Sequence, residues 1–271
     1  MLIDMSGYTG HWPFRNLRGN TLVDLLGRMN RYGVDMTIVS NLNAIFYVDA
    51  QIGNEELHHE LVSNAALKDR FIPFATINPI LPWWKESLAI CQEEYGMKGI
   101  RIFPVYHDYG LTDDRCIEMV EAARDRGMPV AIPLRMTDLR ERSWLDVDRA
   151  LSYNDIADVV RHVPDAQVMI LDARVTDDQE VTSADSLDVL KKADVLFDTS
   201  RGSGVPVKGP NSESLRYLLE HFGAERIAFG TETPFVDYCS PFFRLGVFEA
   251  LTEREKELVW SGNVRRVLKL T

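Results

Sequence analysis

Residues able to do chemistry recur along this chain, each placed just past a short apolar run. The first run, "LIDMSGYT", carries Asp4, Ser6 and Tyr8 at alternate positions. In a strand, residues two apart share a face, so the three are expected to look into one site. Later runs lead into Asn78, then Arg101 and His107, Arg135, Asp172 and Arg174, Asp198 and Arg201, and Glu232. Arginine presents a planar fork that matches carboxylates and phosphates, so Arg101, Arg135 and Arg174 predict an anionic substrate, with Tyr8 and Asn78 beside it. His107, flanked by Tyr106, Asp108 and Tyr109, is expected to work with Glu232 as acid and base, and Asp172 to orient an arginine. A structural alternative pairs the arginines with Asp4, Asp172 and Glu232, because buried charges must be compensated. His11 is a lesser candidate. His58 and His59 sit mid-helix, and His162 and His221 near helix C-termini, where a structural role suffices.

The elements that must position these groups alternate. Runs rich in Val, Ile and Phe predict strands at 2–6, 36–40, 71–77, 99–103, 129–134, 167–172, 194–199 and 226–231. Helical periodicity lies between them. "TLVDLLGRMNRYG" stops at Gly33. "NEELHHELVSNAALKD" is expected to start at Asn54 as N-cap. "TDDRCIEMVEAARDRG" ends on Gly127, and "NSESLRYLLEHFG" is expected to start at Asn211 and stop at Gly223. Alternating units of this kind predict an α/β fold, a (β/α)8 TIM barrel as a single domain over residues 1–271, with chemistry at the carboxyl ends of the strands. A doubly wound sheet is the alternative, but the first turn, "SGYTG", lacks GxGxxG.

The formal net charge of −11 disfavours nucleic acid and anionic membranes as partners. Cys91, Cys116 and Cys239 form no disulfide framework or CxxC pair, which suits a reducing cytoplasm. The first strand begins at residue 2, so no leader is expected, and no apolar run approaches the roughly 18 residues of a membrane span. Aromatics such as Trp12, Phe46, Tyr106, Trp144 and Phe235 crowd the strand–helix loops. They predict an organic-ligand pocket and a homo-oligomer interface.

The chain resembles the amidohydrolase-related (amidohydrolase 2) branch of the metal-dependent hydrolase superfamily. "LIDMS" stands where that family has its Asp-x-His-x-His strand. "KGIRIFP", "RGMPVAIP" and "DVLFDTS" resemble its fourth, fifth and seventh strands, "RIAFGTETP" its eighth, and "WSGNVRRVL" its closing helix. The resemblance implies hydrolysis of an ester, lactone or amide, or non-oxidative decarboxylation, of a small anionic molecule. The family usually uses one divalent metal, but the resemblance puts its histidine positions here on Ser6, Tyr8, Pro133 and Asp172 (Ala173 if the register slips by one), and of its metal positions only the strand-eight aspartate, here Glu232, keeps the expected chemistry. No cofactor and no metal residues are therefore expected. An alternative keeps one divalent metal such as zinc at a non-standard site drawn from Asp4, His11, His107, Asp172 and Glu232. The alternative to an enzyme is a non-catalytic ligand-binding or structural relative.

Overall fold

Each apolar run forms a strand, and each strand pairs in parallel with the next. In the computed structural model, which describes residues 1–137, 142–173, 182–200, 210–238 and 251–270, these are β1 (Ile3–Thr9), β2 (Met36–Asn41), β3 (Phe71–Thr76), β4 (Gly99–Arg101), β5 (Val130–Pro133), β6 (Val168–Leu171), β7 (Val195–Asp198) and β8 (Ile227–Ala228). Their spatial order is their chain order. The ring is drawn together where the Met5 amide donates to the Phe229 carbonyl at 2.9 Å and that of Tyr8 to Thr233 at 2.8 Å. This is the expected (β/α)8 barrel.

The helices between strands are α1 (Leu22–Tyr32), α2 (Asn43–Phe46), α3 (Ala50–Ser63), α4 (Ala65–Lys68), α5 (Trp84–Glu93), α6 (Pro104–His107), α7 (Asp114–Asp125), α8 (Tyr153–His162), α9 (Ala184–Lys192) and α10 (Pro210–Phe222). α1 starts and stops where its sequence says: Thr21 caps the Asp24 amide, and Gly33 ends it in the left-handed region at φ 68°. Two starts differ from expectation. α3 begins at Ala50 under an Asp49 cap, four residues before Asn54. α10 begins at Pro210, which leaves Asn211 inside the helix. Proline at a helix start costs nothing, since the first amides have no intrahelical partner.

Alternation along each strand sorts the core. Odd positions of β1 up to Met5, with Phe74, Ala131, Met169 and Leu196, fill the barrel. Ile100, Ile132, Ile170 and Phe197 face the helices instead. Val264 and Val267 of the last helix, Asn263–Leu268, join the inner cluster. Asn263 holds that helix in place by donating to the Ala224 and Ile227 carbonyls, both at 2.7 Å. Above the inner cluster, at the carboxyl ends, the lining turns polar.

Asn54 shows why a good capping residue lies mid-helix. Its amide docks α3 on β3, donating to the Thr76 carbonyl at 2.9 Å and accepting from the Thr76 amide at 2.8 Å. Asn54→Ala strands both buried backbone groups. Denaturant titration should show a loss of about 2–4 kcal/mol. A loss near that of an exposed-site change would mean that water replaces the amide.

Candidate functional site

The polar layer is built around Arg101, the last residue of β4. It is fully buried. By alternation with Gly99, whose absent side chain makes room for the Phe74 ring inside the barrel, it points inward. Nη1 donates to the Gly7 carbonyl at 2.8 Å, Nη2 to that of Met5 at 3.4 Å, and the guanidinium lies 4.4 Å from the centroid of the Tyr8 ring. Among the described residues no carboxylate stands within 4.0 Å of it, and Nε has no hydrogen-bond partner. Burial lowers its pKa, while the fields of Tyr8, Asp4 and Asp198 oppose that fall. The Tyr8 phenol, pushed up by burial, donates to the Met136 thioether at 3.7 Å.

Asp4 does not share the face of Tyr8 as its spacing predicted. The register of β1 shifts between Asp4 and Gly7, and one extra residue breaks the period of two. Asp4 therefore serves the β1–β8 seam. It accepts from the Thr231 amide at 3.0 Å, the Thr231 hydroxyl at 2.6 Å and the Ser6 amide at 3.0 Å. Burial nevertheless raises its pKa to about 6. Gly7 sits in the same irregularity, where a Cβ would come within 2.3 Å of Thr37.

Asp172 and Glu232 both lie at strand ends in the left-handed region, at φ 54° and 57°. For residues other than glycine this costs about 1–2 kcal/mol and is concentrated at functional sites. Arg135 Nε stands 3.6 Å from Asp172, a pair of the kind the structural alternative expects. Glu232 is buried, and its backbone amide donates to the Ser6 hydroxyl at 3.1 Å. Asp198, fully buried at the end of β7, accepts from the Ala173 amide at 3.0 Å. Burial and then Glu232 raise its pKa to about 7. Asp198 was visible at a strand end, yet nothing in the sequence gave it a role. The usable signal was alternation from Leu196, which aims it inward.

Thr76 Oγ1, Arg101 Nε, Arg135 Nε, Asp198 Oδ2, Ser200 Oγ and Thr233 Oγ1 are buried without hydrogen-bond partners, all at the carboxyl ends of β3 to β8 or just past them. Each such atom costs about 1–3 kcal/mol, so this group of them at one end is a candidate site for a polar guest. Over it lies an aromatic roof in which Trp12 meets Phe235, Phe46 and Tyr106 edge-on at 5.0, 5.1 and 5.5 Å.

The other expected residues fall elsewhere. His107 ends α6; its Nε2 bonds the Ile45 carbonyl at 3.1 Å, and its ring contacts are with Phe103 and Tyr109. Asn78 accepts from the Ile80 amide at 3.1 Å and shapes a turn. His11 is exposed, beside the Asn20 amide. Arg174, Arg201 and Cys239 lie outside the described residues.

The model of the amidohydrolase family matches residues 45–270, beginning after β2. A search of curated proteins finds no match. The fold is similar to that of the manganese-bound dihydroxybenzoic acid decarboxylase of Polaromonas sp. JS666, at TM-score 0.73 and 14% identity, covering 99% of this chain and 97% of that one. Manganese-bound 5-carboxyvanillate decarboxylase of Novosphingobium aromaticivorans gives 0.72 and 14%, covering 100% and 97%. 4-Oxalomesaconate hydratase of Rhodopseudomonas palustris gives 0.67 and 17%, covering 99% and 96%. At such identities the likeness establishes the fold.

Two of these structures hold manganese, which corrects the expectation that no cofactor belongs in such a site. Manganese prefers carboxylate, carbonyl and water oxygens. Asp4 has its oxygens on Thr231 and Ser6, and Asp172 faces Arg135. Among the described residues no three His, Cys, Asp or Glu side chains gather closely enough for an ion. The described donors do not by themselves complete a manganese site.

His107 yields a pH prediction. Burial lowers its pKa from 6.5 to about 4, opposed by the Ile45 bond. The folded state then binds fewer protons than the unfolded one between those values. His107 thus contributes stability above its unfolded pKa that is lost as pH falls from about 6.5 to about 4. Replacing it by Gln should flatten that part of the stability profile by on the order of 2 kcal/mol, read by denaturation at a series of pH values. A parallel pair of profiles would show that His107 stays protonatable in the fold.

Proposed function

The chain belongs to the amidohydrolase family, and we propose that within it this protein is an enzyme that cleaves a small anionic molecule, by non-oxidative decarboxylation or by hydrolysis. The observation that supports this most is Arg101, a buried cation with no carboxylate within 4.0 Å among the described residues. An arginine so placed has lost its hydration and has a substrate anion as its natural counter-charge. The decarboxylases of similar fold act on aromatic carboxylates by their names, which accords with a cation under an aromatic roof. Arg101 would fix the anion and favour negative charge as it develops, and Tyr8 would pack under the guanidinium and offer its hydroxyl. Glu232 and Asp172 are the strand-end carboxylates of the same layer, and Arg135 keeps Asp172 in place. His107 is left to the packing of α6.

The second reading, a non-catalytic ligand-binding relative, draws on the aromatic roof and the Arg135–Asp172 pair. Titration with 2,6-dihydroxybenzoate separates the two. The parent protein should bind it and release carbon dioxide, whereas binding without turnover favours the second reading. Arg101→Met should cost about 1.5–3 kcal/mol of binding, the scale of a charge-assisted hydrogen bond. Arg135→Met should act mainly on stability, lowering it by about 3 kcal/mol because the buried ion pair with Asp172 is broken. Equal binding by parent and Arg101→Met would remove Arg101 from the site.

No helix among the described residues is long and apolar enough to cross a membrane. We place the protein in the cytoplasm, as a single domain that forms a homo-oligomer. Val48 is 93% exposed and Trp144 85%, with Leu145 at 63%, more apolar surface than loops in contact only with water usually show. Light scattering at micromolar concentration should give a mass above that of the 30.9 kDa chain. A monomer would assign those loops to another purpose.

A further inference from the structure

Asp198 is the carboxyl group of the polar layer that the preceding roles leave unused, and its surroundings are specific. It stands one alternation above Leu196, on the inner face of β7. Gly230 lies beside it; a Cβ there would come within 2.9 Å of Asp198 Oδ2 and 2.7 Å of Ser6 Oγ, so only glycine lets these two groups approach β8. Oδ1 is fixed by the Ala173 amide, while Oδ2 is buried without a hydrogen-bond partner. The hydroxyls of Ser200 and Ser6 stand near, without hydrogen-bond geometry at Oδ2. The groups that act on it from other elements are Glu232 past β8, Arg101 from β4, Tyr8 from β1 and Tyr153 from α8.

We propose that Asp198 is the proton donor of this site, a neutral carboxylic acid whose Oδ2 hands its proton to the substrate carbon held against Arg101. The proposal rests on the decarboxylase reading above. In the step, the bond between the substrate carbon and its carboxylate breaks, carbon dioxide leaves, and the bonding pair stays on carbon. That carbon takes the proton from Asp198, which becomes a carboxylate and regains its proton from water. No other reactant is needed. A donor must be protonated at working pH and must lie within reach of the reacting atom. Burial with no ion-pair partner within 4.0 Å among the described residues, and with Glu232 acting on it, favours the neutral form. The single bond to Ala173 leaves Oδ2 available while it prevents the side chain from turning away. An anion on Arg101 adds a second negative charge nearby and holds the proton on Asp198 more firmly until the step occurs.

Asp198→Asn keeps an acceptor for the Ala173 amide and removes the proton. Infrared spectra of the parent protein below neutral pH should show the carbonyl stretch of a buried carboxylic acid. The band should vanish above neutrality and be absent from Asp198→Asn. With 2,6-dihydroxybenzoate as probe, the variant should still bind but turn over at least about 100-fold more slowly, the scale of a lost general acid. The parent should also exchange the carbon-bound hydrogens of resorcinol for deuterium, and the variant should not. Absence of the band, or exchange and turnover that survive in Asp198→Asn, overturns the proposal. Failure of the anion reading looks different: the band persists while parent and Arg101→Met bind the probe equally, which leaves Asp198 a buried neutral carboxyl group and removes it as donor to a carbon held on Arg101.

Discussion

A guanidinium with no access to water has to be compensated, and the mouth of this barrel is organised around that requirement. Arg101 meets it with neutral partners first: two carbonyls of β1 and the face of the Tyr8 ring. Carbonyl dipoles and a ring quadrupole compensate a cation only in part. The carboxylates of the layer remain farther than an ion pair, near enough to be felt in the Arg101 pKa and too far to neutralise it among the described residues. A protein that needed only a stable interior would have closed such a pair, as it does between Arg135 and Asp172. Keeping the central cation unpaired has a cost in stability, and it makes sense where a guest completes the charge balance.

The irregularity in β1 is what makes that placement available. Because the register slips between Asp4 and Gly7, one carboxylate is turned to the β8 seam while the next large side chain, Tyr8, returns to the inside under the guanidinium. The same slip leaves the Met5 and Gly7 carbonyls aimed at β4. The tight contacts at Gly7 and Gly230 follow from this geometry: both are points where β1 and its neighbours approach too closely for a side chain. A regular strand would have kept Tyr8 on the outward face with Asp4 and taken its ring from under the guanidinium.

How much of this was legible in the sequence depends on range. Local chemistry was readable: the Thr21 cap, the Gly33 stop and the eight apolar runs all describe interactions within a few residues. The order of strand-end polar residues was readable too, since a barrel places each at one end. Contacts across the chain were not. Asn54 reads as a cap because asparagine caps well, yet its amide is committed to Thr76 on β3. Asp4 reads as a neighbour of Tyr8 because nothing local announces a slipped register. His107 reads as an acid or base because it follows Arg101 in a loop, but the loop folds into α6 and carries the ring to Ile45. Asp198 needed the third dimension, because its meaning lies in Gly230 and Glu232 on another strand.

Two decarboxylases of similar fold are solved with manganese bound, and in this chain a guanidinium lies buried at the carboxyl ends of the strands. In this chain the arginine already supplies one fixed charge at the level where the inner apolar cluster gives way to polar residues, and any divalent ion would have to share that layer with it. A guanidinium and a metal ion make different demands on the carboxylates around them. A metal takes ionised oxygens and lowers their proton affinity, whereas a guanidinium that is not in contact leaves a buried carboxyl free to keep its proton. Asp198 has one oxygen on a backbone amide and the other without a partner among the described residues. The layer therefore sets a permanent cation near a carboxyl group whose proton affinity burial raises, and the proposed step, in which a carbon first gains negative charge and then a proton, draws on both.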